Sequence, residues 1–554
     1  MKKYSNWINS WAIGLMAFLI PISPLISAWN PIVNVSAPND SFSIGGPVLD
    51  VNNLNNGIAV WATPEVENLV KASFYTFGLG WSAPIVISST ALNQFGKPIY
   101  VNQGDPTVAM NDSNYAVAIW EGSEFLIEPE INIEGLFAVT RSSDGTWSSV
   151  ERITPALEET LDYNPENPFV DVNNAGLAVA VWTELRDGER YIMTSFLPLG
   201  GSWTTPFELA NPFNGNREDT PYVQINSSNN AIATWKAQSE TGDLIGAATY
   251  NALTNTWTTV TLDDGATYVS LPRAGIDENG NGIVVWMRDI DGVTQIVSAS
   301  YNFATQSFGP NVIVSTPPGG VAADGTTVVM DQFGNATAVW TQILTEAPFF
   351  QVYASRLPLG GTWSTPILIS TNPELDGNSL DAFMAQTTIS VDNLGNVIVI
   401  YSTGAETDNL YSVTYYMGIG WTAPELIGTV NSNIWHNINY GICGFAIALW
   451  NAEEQVQAAD NFGLFPPPTN LLGLRCCQRF VSQTCCINSL EWTPSPSCIS
   501  FYRIYRNGVL IATIPATESE FQDPICRRNG AVTYTLTAVN VFGLESLPSF
   551  VTIP

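Results

Sequence analysis

The stretch "GIDENGNGIVVW", residues 275–286, sets Asp277, Asn279, Asn281 and Gly282 at the first, third, fifth and sixth positions of an EF-hand calcium loop. Where such a loop carries its glutamate the chain has Arg288, whose charge repels the ion. The stretch also recurs, and the recurrence gives it another meaning. Aligned on the closing aromatic, its copies are "DVNNLNNGIAVW" (50–61), "AMNDSNYAVAIW" (109–120), "DVNNAGLAVAVW" (171–182), "QINSSNNAIATW" (224–235), "VMDQFGNATAVW" (329–340), "SVDNLGNVIVIY" (390–401) and "INYGICGFAIALW" (438–450).

Six residues before the aromatic stand Asn55, Asn114, Gly176, Asn229, Gly280, Gly334, Gly395 and Gly444, the two residue types that best tolerate a left-handed backbone. Nine before it stand Asn52, Asn111, Asn173, Asn226, Asp277, Asp331, Asp392 and Gly441. Asn or Asp there closes an Asx turn onto the following backbone N–H groups. A calcium loop needs carboxylates at that position, and Asn52, Asn111, Asn173, Asn226 and Gly441 have none. The pattern predicts a tight turn between two strands.

A second motif alternates with the first. It reads "AWNPIVNVS" (28–36), "GWSAPIVIS" (80–88), "TWSSVERIT" (146–154), "SWTTPFELA" (202–210), "TWTTVTL" (256–262), "SFGPNVIVS" (307–315), "TWSTPILIS" (362–370) and "GWTAPELIG" (420–428). Each unit then has a strand A before the turn, an apolar strand B ending in the aromatic, a strand C, and a strand D in the second motif. Strand B is apolar at nearly every residue, as when both of its faces are covered. A four-stranded unit of this length, repeated, resembles the blade of a β-propeller. The first A–B–C set follows a lone D motif (Trp29–Ser36) and the last has none after it, so the N-terminal strand is expected to complete the final blade. The expectation is an all-β chain with an eight-bladed propeller over residues 29–466; seven blades and a spare unit is the alternative. Trp61, Trp120, Trp182, Trp235, Trp286, Trp340 and Trp450 close strand B, and a fixed repeat position argues for wedging between blades rather than sugar stacking.

The repeats stop before Pro466–Pro468. Residues 467–554 resemble a fibronectin type III domain through "PTNLLGL", "INSLEWTPS" with Trp492, "ISFYRIYRNGVLIATIP" turning at Asn507–Gly508, and "VTYTLTAVNVFGLESLPS" with Tyr534. The resemblance implies a β-sandwich with Trp492 in its core and Tyr534 as its corner tyrosine. The segment departs from that pattern in carrying Cys476, Cys477, Cys485, Cys486, Cys498 and Cys526, which in an exported chain are disulfide candidates with fifteen pairings open. A zinc site is the rival reading, opposed by the lack of His and of any C-x-x-C spacing here. Cys443, in the last repeat, reads as a small buried hydrophobe.

Residues 1–28 carry Lys2 and Lys3, an apolar run over 11–22, and a Ser27–Ala28 exit, the plan of a secretory signal peptide. An uncleaved anchor is the alternative; no later segment is apolar enough to span a membrane. Secretion or attachment to the cell envelope follows. The net charge of −31 arises from a shortage of Lys and Arg, so a nucleic-acid partner is not expected.

In a propeller the B–C and D–A loops share one face, and most of the acids fall in them. The densest set is Glu121, Glu124, Glu128, Glu130, Glu158, Glu159, Asp162, Glu184 and Asp187, taken as the candidate binding residues. The expected partner is a glycan, a cation such as Ca2+, or a basic protein; no resident cofactor is called. The sole His, His436, reads as structural, and no G-x-S-x-G nucleophile elbow is present. The blade plan resembles that of sialidases, but "SSDGTW" (142–147) is one residue short of their Asp-box spacing. The expectation is a binding or adhesion protein. The alternative is a glycan-active hydrolase or lyase using a carboxylate pair among these loops.

Overall fold

The computed structural model describes residues 29–37, 46–63, 69–88, 100–126, 131–155, 163–186, 188–213, 221–239, 242–266, 268–315, 322–343, 350–370, 387–402, 407–431, 435–442, 444–452, 455–462, 467–479, 484–494, 499–525, 530–540, 543 and 545–554. Every helix or strand among them is a β-strand. The candidate signal peptide and Cys443, Cys498 and Cys526 lie outside the described residues.

Each repeat folds into an antiparallel sheet in the order A, B, C, D. In one, Asn164–Val172 pairs with Ala178–Arg186, which pairs with Glu189–Leu197, which pairs with Phe207–Phe213. The A strands are Val48–Val51, Tyr100–Met110, Asn164–Val172, Tyr222–Ile225, Val269–Ile276, Ala322–Met330, Thr387–Val391 and His436–Tyr440. They lie side by side in that order, and the last adjoins the first. Sheets set around a common opening in this way form a β-propeller. The chain ends close it: Val33 and Asn34 pair with Ala458 and Gln457 as the outer strand of the last sheet, and Val35 N–H donates to Val456 O.

The turn predicted from the opening stretch forms as an Asx turn. Asp277 Oδ1 accepts the backbone N–H groups of Asn279 (2.9 Å) and Asn281 (2.8 Å), and its Oδ2 accepts Asn281 Nδ2 at 3.1 Å. Those bonds aim both carboxylate oxygens into the turn, as in a structural loop. Asn55, Asn114, Gly176, Asn229, Gly280, Gly334, Gly395 and Gly444 all have positive φ, between 61° and 86°.

The B-strand tryptophans are core residues. Trp120, Trp182, Trp286 and Trp450 are fully buried, and Trp61, Trp235 and Trp340 nearly so. Trp182, for example, packs with Val117, Ile119 and Leu136 of the preceding sheet. At about 25 cal/mol per Å² and roughly 200 Å² per ring, each contributes about 5 kcal/mol before entropy. Trp435, outside the repeat pattern, is half exposed.

Two features were not legible in the sequence. Several D strands are split into two short pieces, such as Gly80–Trp81 and Ile85–Val86 flanking Pro84, because proline has no N–H for the ladder. Several A strands also begin with a bulge, where the register shifts between Gly104 and Thr107, Glu166 and Phe169, Ser270 and Arg273, and Asp324 and Thr327. Asp105, Asn167, Leu271 and Gly325 take left-handed conformations there.

Residues after 467 form two sheets around their own core. One holds Thr469–Arg479, Thr484–Thr493 and Glu520–Ile525; the other holds Val509–Pro515, Ile499–Arg506, Val532–Asn540 and Ser549–Ile553. Trp492, Tyr502, Tyr534 and Leu536 pack between them. Of the cysteine candidates, Cys477 and Cys486 form a disulfide across the first hairpin, and Cys476 is an exposed free thiol. The Cys485 side chain is outside the described residues.

Asn226 tests the turn. Its Oδ1 accepts Ser228 N–H and Asn230 N–H, and its Nδ2 donates to Asp277 O of the next sheet at 2.9 Å. Asn226→Ala is expected to cost about 2–3 kcal/mol in denaturant unfolding. Asn226→Asp should cost less, because Asn230 stands where Asn281 bonds Asp277.

Candidate functional site

The bulges bring carboxylates together at the end of the sheets where strand B runs into strand C. Glu121 extends from Ala116–Leu126, and Asn167 N–H, at the apex of the next sheet's bulge, donates to its Oε1 at 2.5 Å. Burial, offset in part by that N–H, and the nearby Asp105, Glu166 and Glu134 carboxylates push the Glu121 carboxyl up to about 8. The same cause, burial, raises Asp105 and Glu134, and Arg152 holds Glu134 partly back. These acids come from four strands of two adjacent sheets: Tyr100–Met110, Ala116–Leu126, Ile131–Arg141 and Asn164–Val172.

Cations flank the group. Arg190 binds Glu166 Oε2 at 2.8 Å, and Asn164 Nδ2 donates to Glu166 Oε1 at 2.7 Å. Arg152 reaches Glu124 Oε2 at 3.5 Å while its other N–H groups donate to the Thr154, Glu134 and Pro155 carbonyls. Among the candidates, Glu124 is therefore a partly exposed ion-pair partner at the rim. Glu184 is buried elsewhere: Tyr163 OH (3.0 Å) and Trp182 Nε1 (3.3 Å) donate to its Oε2, and Arg186 Nε lies 2.9 Å from its Oε1 without hydrogen-bond geometry. It holds the sheet together and offers little to a ligand. Glu128, Glu130, Glu158, Glu159, Asp162 and Asp187 lie outside the described residues.

Sequence reading singled out Glu121 but missed Asp105, Glu134 and Glu166 as its neighbours, because only the bulges and the packing of adjacent sheets juxtapose them. Among the described residues no group of three acids, histidines or cysteines is placed to hold a metal ion. His436 is buried with Nδ1 at 3.1 Å from Thr388 Oγ1.

The A strands around the opening carry a separate set of half-buried polar groups. Asp50 accepts Val51 N–H and Asn439 Nδ2 on one oxygen and Met110 N–H on the other, tying three neighbouring sheets. Asp171 likewise accepts Val172 N–H and Ile225 N–H. Burial lifts Asp50 to about 7, with Asp171 adding to it, and Asp171 itself to about 6. Away from both regions a cleft of about 470 Å³ opens between two sheets, lined by Glu208, Gln238, Thr259 and Thr261 over Trp235.

No protein-family model matches the chain, and no curated protein does. Among solved structures it is similar to a polysaccharide lyase described as an ulvan lyase, at 10% identity and a TM-score of 0.42 over 78% of this chain and 94% of that one. It is similar to the NanB sialidase of Streptococcus pneumoniae at 10% identity and 0.36, over 68% of each chain. The six-bladed fucose-binding lectin of Aleuria aurantia gives 11% and 0.31, over 58% of this chain and 94% of that one. At these values none of them assigns a ligand or a reaction to this chain.

The Glu121 carboxyl, raised from its ordinary 4.5, favours folding when protonated; that contribution is complete below about 4.5 and lost as the pH rises through about 8. Unfolding midpoints measured from pH 5 to 9 should therefore fall less steeply in Glu121→Gln, which keeps an acceptor for Asn167 N–H, than in the parent protein.

Proposed function

We propose that this is an exported glycan-binding protein whose ligand docks at the acidic mouth around Glu121. One observation carries the reading: the Glu121 carboxyl, held by Asn167 N–H and pushed up to about 8 by burial, stands near Asp105, Glu134 and Glu166 at a loop end of the sheets. That pairing offers a hydrogen-bond donor beside acceptors, which suits vicinal sugar hydroxyls. Export rests on the basic and apolar pattern of residues 1–28.

Two architectural readings belong to the proposal. Taking residues 29–466 as an eight-bladed propeller is supported by the A strands adjoining in a closed order. Taking residues 467–554 as a fibronectin type III-like module is supported by the split into three and four strands, by buried Trp492, and by Tyr534, whose hydroxyl donates to Asp523 at 2.6 Å and accepts from Asn488. The hairpin turn at Asn507 and Gly508, both with positive φ, supports it further.

The second reading is a glycan hydrolase or lyase. It is favoured by the same Glu121, since a carboxyl pushed up to about 8 beside other carboxyl groups has the makings of a general acid. The deciding experiment presents parent protein and Glu121→Gln to a glycan array, then to each captured glycan in a turnover assay. A binding protein gives parent signal without products, and Glu121→Gln weakens binding about tenfold because an amide replaces the carboxyl O–H donor. An enzyme gives products from the parent, while Glu121→Gln still binds and loses about a hundredfold or more in rate. No glycan bound or turned over by either would overturn the assignment.

A further inference from the structure

The A strands of three consecutive sheets set Phe169, Tyr222 and Arg273 in a row on the inside of the ring. The Phe169 and Tyr222 rings are 4.4 Å apart, and the Arg273 guanidinium carbon is 5.4 Å from the Tyr222 centroid. Tyr222 is electrostatically coupled to Asp171 on the neighbouring A strand and to Asp50, whose strand lies three sheets away along the ring. All three residues lie on the A strands, which adjoin one another around the central opening, and the Tyr222 ring also packs against the core between its sheet and the next.

Arg273 is short of partners. Its Nη1 donates to its own neighbour's carbonyl, Pro272 O, at 3.0 Å. No carboxylate among the described residues lies within ion-pair distance of it. Asp50 and Asp171 have both oxygens engaged by backbone N–H groups, Asp50 by Asn439 as well. Tyr222 supplies no compensating charge, because burial pushes its hydroxyl up to about 12. Burial also disfavours the guanidinium's own charge. Arg273 is half-buried, and a partly desolvated cation without a counterion is costly; a guanidinium offers a planar fork of donors matched to two oxygens of one anion. Beside it, the Tyr222 hydroxyl accepts Gln224 Nε2 at 3.0 Å, which leaves the phenolic proton free to donate.

We propose that the central opening binds an oxyanion, a carboxylate or sulfate group, held by the Arg273 guanidinium and the Tyr222 hydroxyl. This site is separate from the Glu121 mouth and does not rest on the glycan reading. It also gives a role to the bulge that precedes Arg273, where Leu271 adopts φ 49°, a strained choice for a bulky side chain.

The test is thermal unfolding of the full chain titrated with sodium acetate or sodium sulfate against sodium chloride at equal ionic strength. Sulfate stabilises folded proteins generally and without saturation, so the readout is the saturable part of the response and its difference between variants. The parent should show a saturable rise in midpoint. Arg273→Gln should abolish it, and Tyr222→Phe should weaken the apparent affinity about tenfold. Saturation with acetate marks a carboxylate site and saturation with sulfate alone marks a sulfate site. Identical responses in parent and Arg273→Gln would overturn the proposal. If Arg273→Gln does not fold, crystals of the parent soaked in selenate decide: an anomalous peak within hydrogen-bonding distance of the guanidinium is expected, and its absence overturns the assignment.

Discussion

The fold depends on how one tight turn satisfies its own backbone. Between strands A and B the chain reverses over a few residues, leaving N–H groups that no ladder reaches. One side-chain oxygen, from Asn52, Asn111, Asn173, Asn226, Asp277, Asp331 or Asp392, accepts two of them each time. The choice between Asn and Asp decides what the other atom does. Asn52, Asn111, Asn173 and Asn226 donate to the main-chain oxygen at the same position of the next sheet. Asp277, Asp331 and Asp392 have no such proton and instead accept from Asn281, Asn335 and Asn396 within the turn. Part of the ring is thus stitched from sheet to sheet, and part is stiffened turn by turn. At the seam Gly441 takes the place of that side chain, because a Cβ there would lie 2.2 Å from Asn55 Oδ1, which accepts Ile442 N–H.

Burial of strand B follows from the same geometry. With a sheet on each side, both faces of the strand are covered, and continuous apolar sequence replaces the usual alternation. The tryptophan at its end then fills the widening space between neighbouring sheets. The charged groups are pushed to the two ends of the sheets and to the opening. Where bulges fold A-strand ends over the loops, carboxylates crowd, and burial holds protons on Glu121, Asp50 and Asp171 at pH values where exposed acids are ionised.

The sequence by itself determined the repeat, the left-handed turn residues, the apolar B strands, the tryptophan positions and the use of the N-terminal strand in the last sheet. Each of these is a local requirement, written in residue type at a fixed spacing. It also pointed to Glu121 as part of an acidic loop region. Only the tertiary structure decided which acids meet. Glu184 sits in the same sequence neighbourhood of acids yet is absorbed by Tyr163, Trp182 and Arg186, while Asp105 and Glu166 join Glu121 from other strands. The pairing of Cys477 with Cys486 and the isolation of Arg273 beside Tyr222 were likewise invisible. The physical reason is that turn chemistry is set by neighbours within a few residues, whereas a site is set by distances between strands dozens of residues apart, and bulges that shift register by a residue or two leave no periodic mark in the sequence.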